Sequence, residues 1–276
     1  MNNYNNIIDG RKLALAHEQK VKQKIAQLKK TPKVVSILIG DDPPSILYTN
    51  MKQKKAVEVG IDFIPIKFPA NSSFEAVADT IKKLNFDPSI AGIMVQLPLP
   101  NKFLPKEQTD ELLNLINPKK DIDGLVDNSP FLPATVRGIF ELLLDENIDL
   151  KGKKVVVLGR SKIVGKPTAE EAKKRGAYVD ICHSKTENLK KHTLAADILI
   201  AAVGKPHLVT ADMVKDGVVV IDVGTQEVNG KLVGDVDFKT VAKKASKITP
   251  VPGGVGPMTV ISLMENVVES LNYGNI

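Results

Sequence analysis

Hydrophobic and polar residues alternate along the first half of the chain in a pattern that predicts helices and strands in turn. Apolar residues recur at helical spacing over residues 13–28, Thr31-Pro32 ends that segment, and residues 34–39 form a β-branched run. A further helix from residue 44 or 45 to 60, a strand at 62–68, a helix at 74–84 and a strand at 90–95 follow. This order predicts an alternating α/β unit with a parallel sheet.

The second half repeats the alternation with stronger signals. Residues 153–158 form an apolar strand, residues 159–165 a tight turn, and residues 167–175 a helix that opens on Pro167 and stops at Gly176. Further strands are predicted at residues 178–182, 198–203 and 218–223. The pattern is typical of a Rossmann-like, doubly wound nucleotide-binding domain.

Two domains follow from this organisation. Residues 128–133 hold two prolines and little periodicity, and the domain junction is predicted near them. The first domain is expected to cover residues 1–136 and the second residues 137–256. The last apolar helix, 258–271, follows a Gly/Pro-rich segment at 250–257 and is expected to return to the first domain, so residues 257–276 are counted with that domain.

Composition places the chain among globular proteins. Its 276 residues are 43% hydrophobic and 25% charged, which excludes disordered and collagen-like classes. The longest apolar stretches, such as residues 198–203, fall far short of the ~20 residues that a bilayer-spanning helix needs. The first residues lack the features of a secretory signal, so a cytoplasmic protein is expected. A single cysteine, Cys182, permits no internal disulfide and no multi-thiolate metal site.

The net charge of +6, from 38 basic and 32 acidic residues, raises the question of an anionic partner. The basic residues are scattered, and four Tyr, eight Phe and no Trp leave little aromatic surface on which bases could stack. The charge therefore fits a small polyanionic substrate or cofactor, or solubility alone, better than it fits nucleic acid.

A glycine-bounded turn follows the first strand of the second domain. Gly159 and Gly165 keep the outer glycines of a Gly-x-Gly-x-x-Gly fingerprint at a stretched spacing, with Ser161 between them. Such a turn ahead of a helix lets backbone N–H groups and the positive helix end meet a pyrophosphate. An ordinary strand-to-helix turn remains the alternative.

The end of the next strand bears on the choice between NAD and NADP. An acid there would bind the ribose hydroxyls of NAD, whereas cationic or hydroxyl groups accept a 2′-phosphate. Asp180 competes for this role, but Ile181 and Cys182 continue the strand beyond it. Arg160 in the turn and Ser184 at the strand end favour NADP, and the flanking His183 and Lys185 either add charge or are solvated loop residues.

Candidate reactive residues of the first domain lie on a helix, at a strand end and in a turn. Tyr48 and Lys52 are four residues apart and share a helix face, although a helical lysine is most often a solvated surface residue. Gln96 directly follows strand 90–95, where parallel sheets deliver ligand-binding groups. Asp121 and Asp123 precede a glycine, which also suits an Asx-turn; the following residues lack the acidic ligands of a calcium loop.

Six ordered motifs together resemble the bifunctional methylenetetrahydrofolate dehydrogenase/methenyltetrahydrofolate cyclohydrolase family. They are Tyr48-x-x-x-Lys52, Val-Gln-Leu-Pro-Leu-Pro at 95–100, Asp-Ile-Asp-Gly at 121–124, the glycine turn at 159–167, Val-Ile-Asp-Val-Gly at 220–224, and Pro-Val-Pro-Gly-Gly-Val-Gly-Pro-Met-Thr at 250–259. The resemblance runs from Ile8-Asp9-Gly10 almost to the C-terminus.

The resemblance implies oxidation of 5,10-methylene-tetrahydrofolate by NADP and hydrolysis of the methenyl product to 10-formyl-tetrahydrofolate. It implies Lys52 as the catalytic lysine, supported by Tyr48 and Gln96, with Asp123 binding the pterin ring of the tetrahydrofolate substrate. It further implies a folate site lined by Gly256 and Pro257, no metal, and a homodimer through the cofactor domain. The residues expected to bind NADP are Gly159, Arg160, Ser161, Gly165, Ser184 and Thr225.

The chain departs from the family pattern after Gly124. Relatives carry a longer segment that ends in Pro-Cys-Thr-Pro, whereas here residues 125–132 run directly into Pro133-Ala134-Thr135. The shorter connector predicts less covering backbone beside the substrate. A monofunctional dehydrogenase or cyclohydrolase, or a basic nucleotide- or RNA-binding module on the same fold, remains an alternative that the retained Tyr48, Lys52, Gln96 and Asp123 disfavour.

Overall fold

The computed structural model describes residues 5–105 and 108–273. The chain divides into two compact units, which we name after their main sheets. The three-strand unit consists of Ala16–Ala134 and Val260–Ile276, and the five-strand unit of Met1–Leu15 and Thr135–Thr259. The first residues of the chain were predicted to lie in the first domain, but the described residues 5–15 belong to the five-strand unit. The physical reason is that Ile8 pairs with Ile248, its N–H donating to the Ile248 oxygen at 2.8 Å.

The three-strand unit alternates helices and strands as predicted. Its elements are α1 Gly10–Ala26, which begins in the five-strand unit, β1 Lys33–Ile39, α2 Pro43–Val59, β2 Asp62–Phe68, α3 Phe74–Phe86, β3 Ile90–Val95, α4 Thr109–Leu113 and a 3₁₀ turn at Pro118–Lys120. The strands pair in parallel in the order β2-β1-β3. Every residue of β3 is buried, as expected for a strand that is apolar on both faces.

Helix α2, which carries Tyr48 and Lys52, has well-defined ends. The Asp42 carboxylate caps it by accepting from the Ser45 N–H at 3.0 Å, and two prolines occupy its first turn. Gly60 ends it in the left-handed conformation, with φ of 89°. The helix therefore begins and ends at defined residues, and Tyr48 and Lys52 lie between them.

The five-strand unit contains the second half of the pattern. Its elements are α5 Ala134–Asp145, β4 Lys154–Leu158, α6 Gly165–Lys174, β5 Tyr178–Cys182, α7 Leu189–Ala195, β6 Ile198–Ala201, β7 Val219–Asp222, β8 Gln226–Val228, β9 Lys231–Val233, α8 Phe238–Val241, β10 Lys247–Ile248 and the start of α9 Val255–Ser270. The main sheet is parallel in the order β10-β7-β6-β4-β5, and β8 and β9 form a separate antiparallel hairpin.

The strand order confirms the predicted doubly wound fold. The first strand, β4, has β5 on one side and β6 on the other, so the order of strands reverses between β4 and β6. Ligands of such sheets bind at this switch point, outside the carboxyl ends of the strands. The predicted strands 198–203 and 218–223 are shorter than expected, because the chain leaves the sheet at Ala201 and Asp222.

The last helix contributes to the three-strand unit, as predicted for the C-terminal segment. Its residues from Val260 onward belong to that unit. There Glu265 of α9 lies 2.6 Å from the His17 ring nitrogen of α1. No helix within the described ranges is both long and apolar enough to cross a membrane.

Candidate functional site

Lys52 and Gln96 form a hydrogen-bonded pair at the carboxyl end of β3. The Lys52 Nζ donates to Gln96 Oε1 at 3.1 Å, and the Gln96 Nε2 donates to the Leu97 backbone oxygen at 2.7 Å. Gln96 is 7% exposed, and its backbone N–H extends the sheet by donating to the Ile37 oxygen at 2.8 Å. Because the amide nitrogen is already engaged, the amide oxygen faces the lysine.

This pairing gives the lysine a fixed place without an added charge. The Gln96 oxygen is a neutral acceptor, whereas a carboxylate in its position would favour the protonated amine. Lys52 itself is half-buried. A lysine held in this way can exchange a proton with a molecule bound beside α2. Tyr48, one turn earlier on the same helix, is 41% exposed and therefore available to such a molecule.

Asp121 and Asp123 differ in environment although they are two residues apart. Asp121 is buried, and its carboxylate accepts from the N–H groups of Gly124 at 3.1 Å and Val126 at 2.8 Å. Burial raises the pKa of Asp121 to about 6. Asp123 is half-buried. The Asp121 carboxylate therefore stabilises the turn that carries Asp123 by accepting from N–H groups three and five residues later, which differs from an Asx-turn.

The connector after Asp123 closes on itself. Gly124 has φ of +70°, and a Cβ there would lie 2.6 Å from backbone atoms of Leu132 and Pro133. The Asn266 side-chain nitrogen of α9 donates to the backbone oxygens of Ile122 at 2.9 Å and Leu132 at 3.0 Å. The short connector is thus a closed loop whose two ends are held by one buried amide.

The turn between β4 and α6 needs both of its glycines. A Cβ on Gly159, which has φ of +110°, would overlap the Ala202 backbone oxygen, and one on Gly165 would overlap the Gly159 oxygen. Ser161 lies between them, and its hydroxyl accepts from the N–H groups of Val164 and Gly165, both at 3.2 Å. The backbone is therefore packed as tightly as a phosphate-binding turn requires. Helix α6 begins at Gly165, two residues before Pro167.

The remaining candidate cofactor residues lie at strand ends of the same sheet. Arg160 follows β4, Ser184 follows β5 and Thr225 follows β7, and all three are exposed. Asp180 lies within β5, where its carboxylate binds Lys154 at 2.7 Å and His192 at 3.2 Å. The hydrogen bond from Lys154 is the main cause that lowers the pKa of Asp180.

The predicted folate residues Gly256 and Pro257 lie in the first turn of α9, within the five-strand unit. Gly256 is exposed, and a Cβ there would meet no other atom within 4 Å. Lys52, Tyr48, Gln96 and Asp123 all belong to the three-strand unit. Across residues 5–105 and 108–273, no group of three His, Cys, Asp or Glu side chains could hold a metal ion.

A parallel, doubly wound sheet with a glycine turn at its switch point defines a dinucleotide-binding α/β enzyme. Residues 133–274 match the NAD(P)-binding domain, and residues 8–123 the catalytic domain, of tetrahydrofolate dehydrogenase/cyclohydrolase. The chain belongs to the tetrahydrofolate dehydrogenase/cyclohydrolase family. This confirms the predicted family and the predicted dinucleotide cofactor.

Relatives of this chain match it over almost their whole length. The bifunctional protein FolD of Lactobacillus acidophilus is 50% identical over 275 residues, which cover 95% of this chain and 96% of the relative. The crystal structure of the bifunctional FolD of Campylobacter jejuni is 41% identical with a TM-score of 0.93, covering 97% of this chain and 98% of that one. The Trypanosoma brucei enzyme, solved with NADP cofactor and inhibitor, is 34% identical with a TM-score of 0.90, covering 97% of each chain.

Proposed function

We propose that this chain oxidises 5,10-methylene-tetrahydrofolate with NADP and hydrolyses the methenyl product to 10-formyl-tetrahydrofolate. The full-length match to bifunctional FolD proteins supports both activities. The observation that carries the proposal is the Lys52–Gln96 hydrogen bond at 3.1 Å, which lies in the unit that matches the catalytic domain. It provides a positioned amine for proton transfer.

The dehydrogenase step needs orientation more than acid or base catalysis. The methylene carbon lies between two nitrogens, whose lone pairs stabilise the amidinium cation that forms when hydrogen leaves the carbon with the electron pair of the C–H bond. The glycine turn between Gly159 and Gly165 would hold NADP, which would supply the acceptor for that hydride. The task of the chain is to hold the two ligands in reacting geometry. The overlap that a Cβ on Gly159 or Gly165 would cause supports a role for this turn in holding the pyrophosphate.

The cyclohydrolase step needs proton transfer. Water adds to the methenyl carbon and loses one proton, which gives a neutral carbinolamine. The carbon–N5 bond then breaks as N5 takes up a proton, and the remaining hydroxyl proton leaves as the formyl C=O bond forms, so one proton is released overall. Lys52 in its neutral form accepts the proton that the water loses on addition, and in its charged form supplies the proton that N5 takes up. Gln96 orients the amine, and the exposed Tyr48 can hold the substrate or the water.

The other binding roles are part of the same proposal. Asp123 binds the pterin ring, and Gly256 and Pro257 line the folate site. Gly159, Ser161 and Gly165 hold the pyrophosphate, Thr225 contacts the cofactor, and Arg160 and Ser184 receive the 2′-phosphate. Preference for NADP is supported by the exposure of Arg160 and Ser184 and by the engagement of Asp180 with Lys154 and His192.

A homodimer through the cofactor-binding unit completes the proposal. Strand β5 is an edge strand of the five-stranded sheet. Its Tyr178 is 70% exposed and its Ile181 is 36% exposed. An edge strand with exposed apolar side chains favours association with another chain. Light scattering on the purified protein measures the mass directly, and a monomer at micromolar concentration would contradict this part.

Two assays test the proposed function. One follows NADPH formed from methylene-tetrahydrofolate, and the other follows the loss of methenyl-tetrahydrofolate in the absence of the dinucleotide. We expect both activities in one preparation. A single activity would favour the monofunctional alternative, and the loss of both in a folded protein would favour the nucleotide-binding module.

A further inference from the structure

Asp235, between β9 and α8, holds the segment that follows β6. Its side chain is fully buried. One carboxylate oxygen accepts from the N–H groups of Val203 at 2.7 Å and Gly204 at 3.1 Å, and the other accepts from the Lys205 N–H at 2.7 Å. Three consecutive backbone donors therefore converge on one side chain that is 30 to 32 residues away in sequence.

Asp222 extends this network to the loop after β7. It is the last residue of that strand and is 3% exposed. One oxygen accepts from the N–H groups of Gly224 at 3.1 Å and Asp235 at 3.0 Å, and the other accepts from the Val236 N–H at 2.9 Å. The two aspartates thus link the loop after β6, the Asp235 segment and the loop after β7.

Glycines at two positions show how closely this network is packed. A Cβ on Gly224 would overlap the Asp235 carboxylate, and one on Gly234 would overlap the Asp222 carboxylate. The pairs Asp222/Gly224 and Gly234/Asp235 are therefore a local sequence signal for the network. The roles of Asp222 and Asp235 were not predicted, although Asp222 belongs to the motif at 220–224, because the contacts form only when β6 and β7 lie side by side.

The network lies at the part of the sheet where a dinucleotide ends its path. The ligand of a doubly wound sheet crosses the switch point between β4 and β6. Ser184, at the end of β5, is the proposed contact for the adenosine half, so the other half extends towards β6 and β7. The close approach of Gly159 to the Ala202 oxygen places the segment after β6 against the glycine turn.

The peptide groups of this segment have a defined direction. Peptide units are planar and trans, so the carbonyl of one residue points away from the N–H of the next. Because the N–H groups of Val203, Gly204 and Lys205 point towards Asp235, the preceding carbonyls face the opposite side. The Ala202 oxygen, which lies against Gly159, shows this direction.

We infer that Asp235 is a positioning residue that aligns the nicotinamide half of the dinucleotide for hydride transfer. It acts through the 203–205 segment and touches no ligand, because its carboxylate is buried and engaged by backbone donors. The inference rests on the proposed function, since it concerns the dehydrogenase step alone. The proton-transfer pair Lys52–Gln96 belongs to the other unit and does not depend on it.

Asp235→Asn is the direct test, because it keeps the shape and replaces one acceptor oxygen by a donor that faces backbone N–H groups. We expect the dehydrogenase kcat to fall at least tenfold. Inhibition by adenosine 2′,5′-bisphosphate, which occupies only the adenosine half, should stay within twofold of wild type. Cyclohydrolase activity without dinucleotide should also stay within twofold.

Asp237→Asn is the matched control, because it makes the same change two residues later, at a half-buried carboxylate that accepts from the Thr240 hydroxyl. It should keep both activities. If Asp235→Asn does not fold, Gly204→Ala strains the same segment at φ of +69°. It should likewise lower the dehydrogenase kcat while cyclohydrolase activity and inhibition by adenosine 2′,5′-bisphosphate are retained.

An unchanged dehydrogenase kcat in a folded Asp235→Asn variant would overturn the inference. A parallel loss of adenosine 2′,5′-bisphosphate binding would overturn it as well, because it would show that the substitution disturbs the structure of the whole five-strand unit. Failure of the proposed function itself is distinct, because the wild-type protein would then lack the dehydrogenase activity.

Discussion

The side-chain amide of Gln96 turns its oxygen to Lys52 at 3.1 Å and its nitrogen to the Leu97 backbone oxygen at 2.7 Å. The lysine is therefore bound by a neutral partner whose orientation is set by the backbone. Exchange of this amide for an acid would change the charge beside the amine while keeping the length of the side chain.

Gln96→Glu is expected to move the pH profile of the cyclohydrolase upward. A carboxylate beside the amine stabilises its charged form by an amount that corresponds to about 1–3 pH units. The pH at half-maximal rate, measured with methenyl-tetrahydrofolate and corrected for its spontaneous hydrolysis, reports this shift. Gln53→Glu adds the same charge at a side chain that donates to the Phe63 oxygen at 3.4 Å, and it should leave the profile in place. Equal profiles for both variants would contradict the role of Gln96.

Lys52→Met is expected to abolish cyclohydrolase activity with the fold intact. Methionine keeps the length and the apolar stem but cannot transfer a proton, and general acid–base groups contribute roughly 10²- to 10⁴-fold to rate. Methenyl hydrolysis at saturating substrate measures the loss. The exposed Lys54 lies on the same helix, so Lys54→Met is the matched control. A folded Lys52→Met protein with near-normal hydrolysis would refute the assignment.

Arg160→Ala is expected to raise the KM for NADP at least about tenfold and to change the KM for NAD much less. A charge-assisted contact to the 2′-phosphate is worth about 1.5–3 kcal/mol, and NAD lacks that phosphate. Initial rates with each dinucleotide give the ratio. Lys173→Ala removes a positive charge from an exposed position on α6 and should leave the ratio unchanged. An unaltered ratio in the Arg160 variant would remove the support for this contact.

Local patterns predicted the strands well and the buried polar contacts poorly. Strands β2, β3 and β5 begin and end at the predicted residues, because each is a short run bounded by clear turn or helix signals. The β8–β9 hairpin was missed because each strand has three residues and little apolar pattern.

The site was predicted through family motifs more than through spacing. Lys52 and Gln96 are separated by 44 residues, so no local pattern could pair them, although the family resemblance put both in one site. The roles of Asp121 and Asp235 depend on which backbone N–H groups the fold brings to their carboxylates. Such convergence is not visible before strands and loops are placed.

Two buried aspartates are expected to make the protein less stable as pH rises from about 4 to about 7. Burial raises the pKa of Asp121 to about 6 and that of Asp222 to about 7, both above the value of about 4 in unfolded chains. The folded state then binds more protons than the unfolded state between these values. The contribution of the two groups to stability is therefore fully present below about pH 4, is lost as pH rises to about 6 for Asp121 and about 7 for Asp222, and changes little above that. For Asp121 the total change in unfolding free energy is on the order of 2–3 kcal/mol, with a slope of at most about 1.4 kcal/mol per pH unit.

Chemical denaturation at several pH values measures this slope. Asp121→Asn cannot ionise, so its unfolding free energy should depend less on pH than that of the wild type. Asp145→Asn, at an exposed carboxylate, should keep the wild-type slope. Identical slopes for wild type and Asp121→Asn would show that Asp121 does not titrate in this range.

Asn266→Ala is expected to destabilise the protein by about 1–3 kcal/mol, because it leaves two buried carbonyl groups without their donor. These carbonyls, of Ile122 and Leu132, flank the connector that follows Asp123, so the KM for the folate substrate should rise as well. Thermal unfolding and substrate titration measure the two effects. Asn272→Ala, at an exposed position, is the control. A normal KM in a destabilised Asn266 variant would show that the connector does not affect binding of the folate substrate.

The mutual packing of Gly159 and Gly165 has a practical consequence for redesign of the coenzyme preference. Side chains at these glycines would overlap the Ala202 and Gly159 carbonyl oxygens, so these two positions of the turn do not accept substitution. The segment after β5 is free of that restriction, since Ser184 and Lys185 are exposed. A combinatorial library confined to that strand end would vary coenzyme specificity without disturbing the fold. An acidic replacement at Ser184 is the first variant to screen for dehydrogenase activity with NAD.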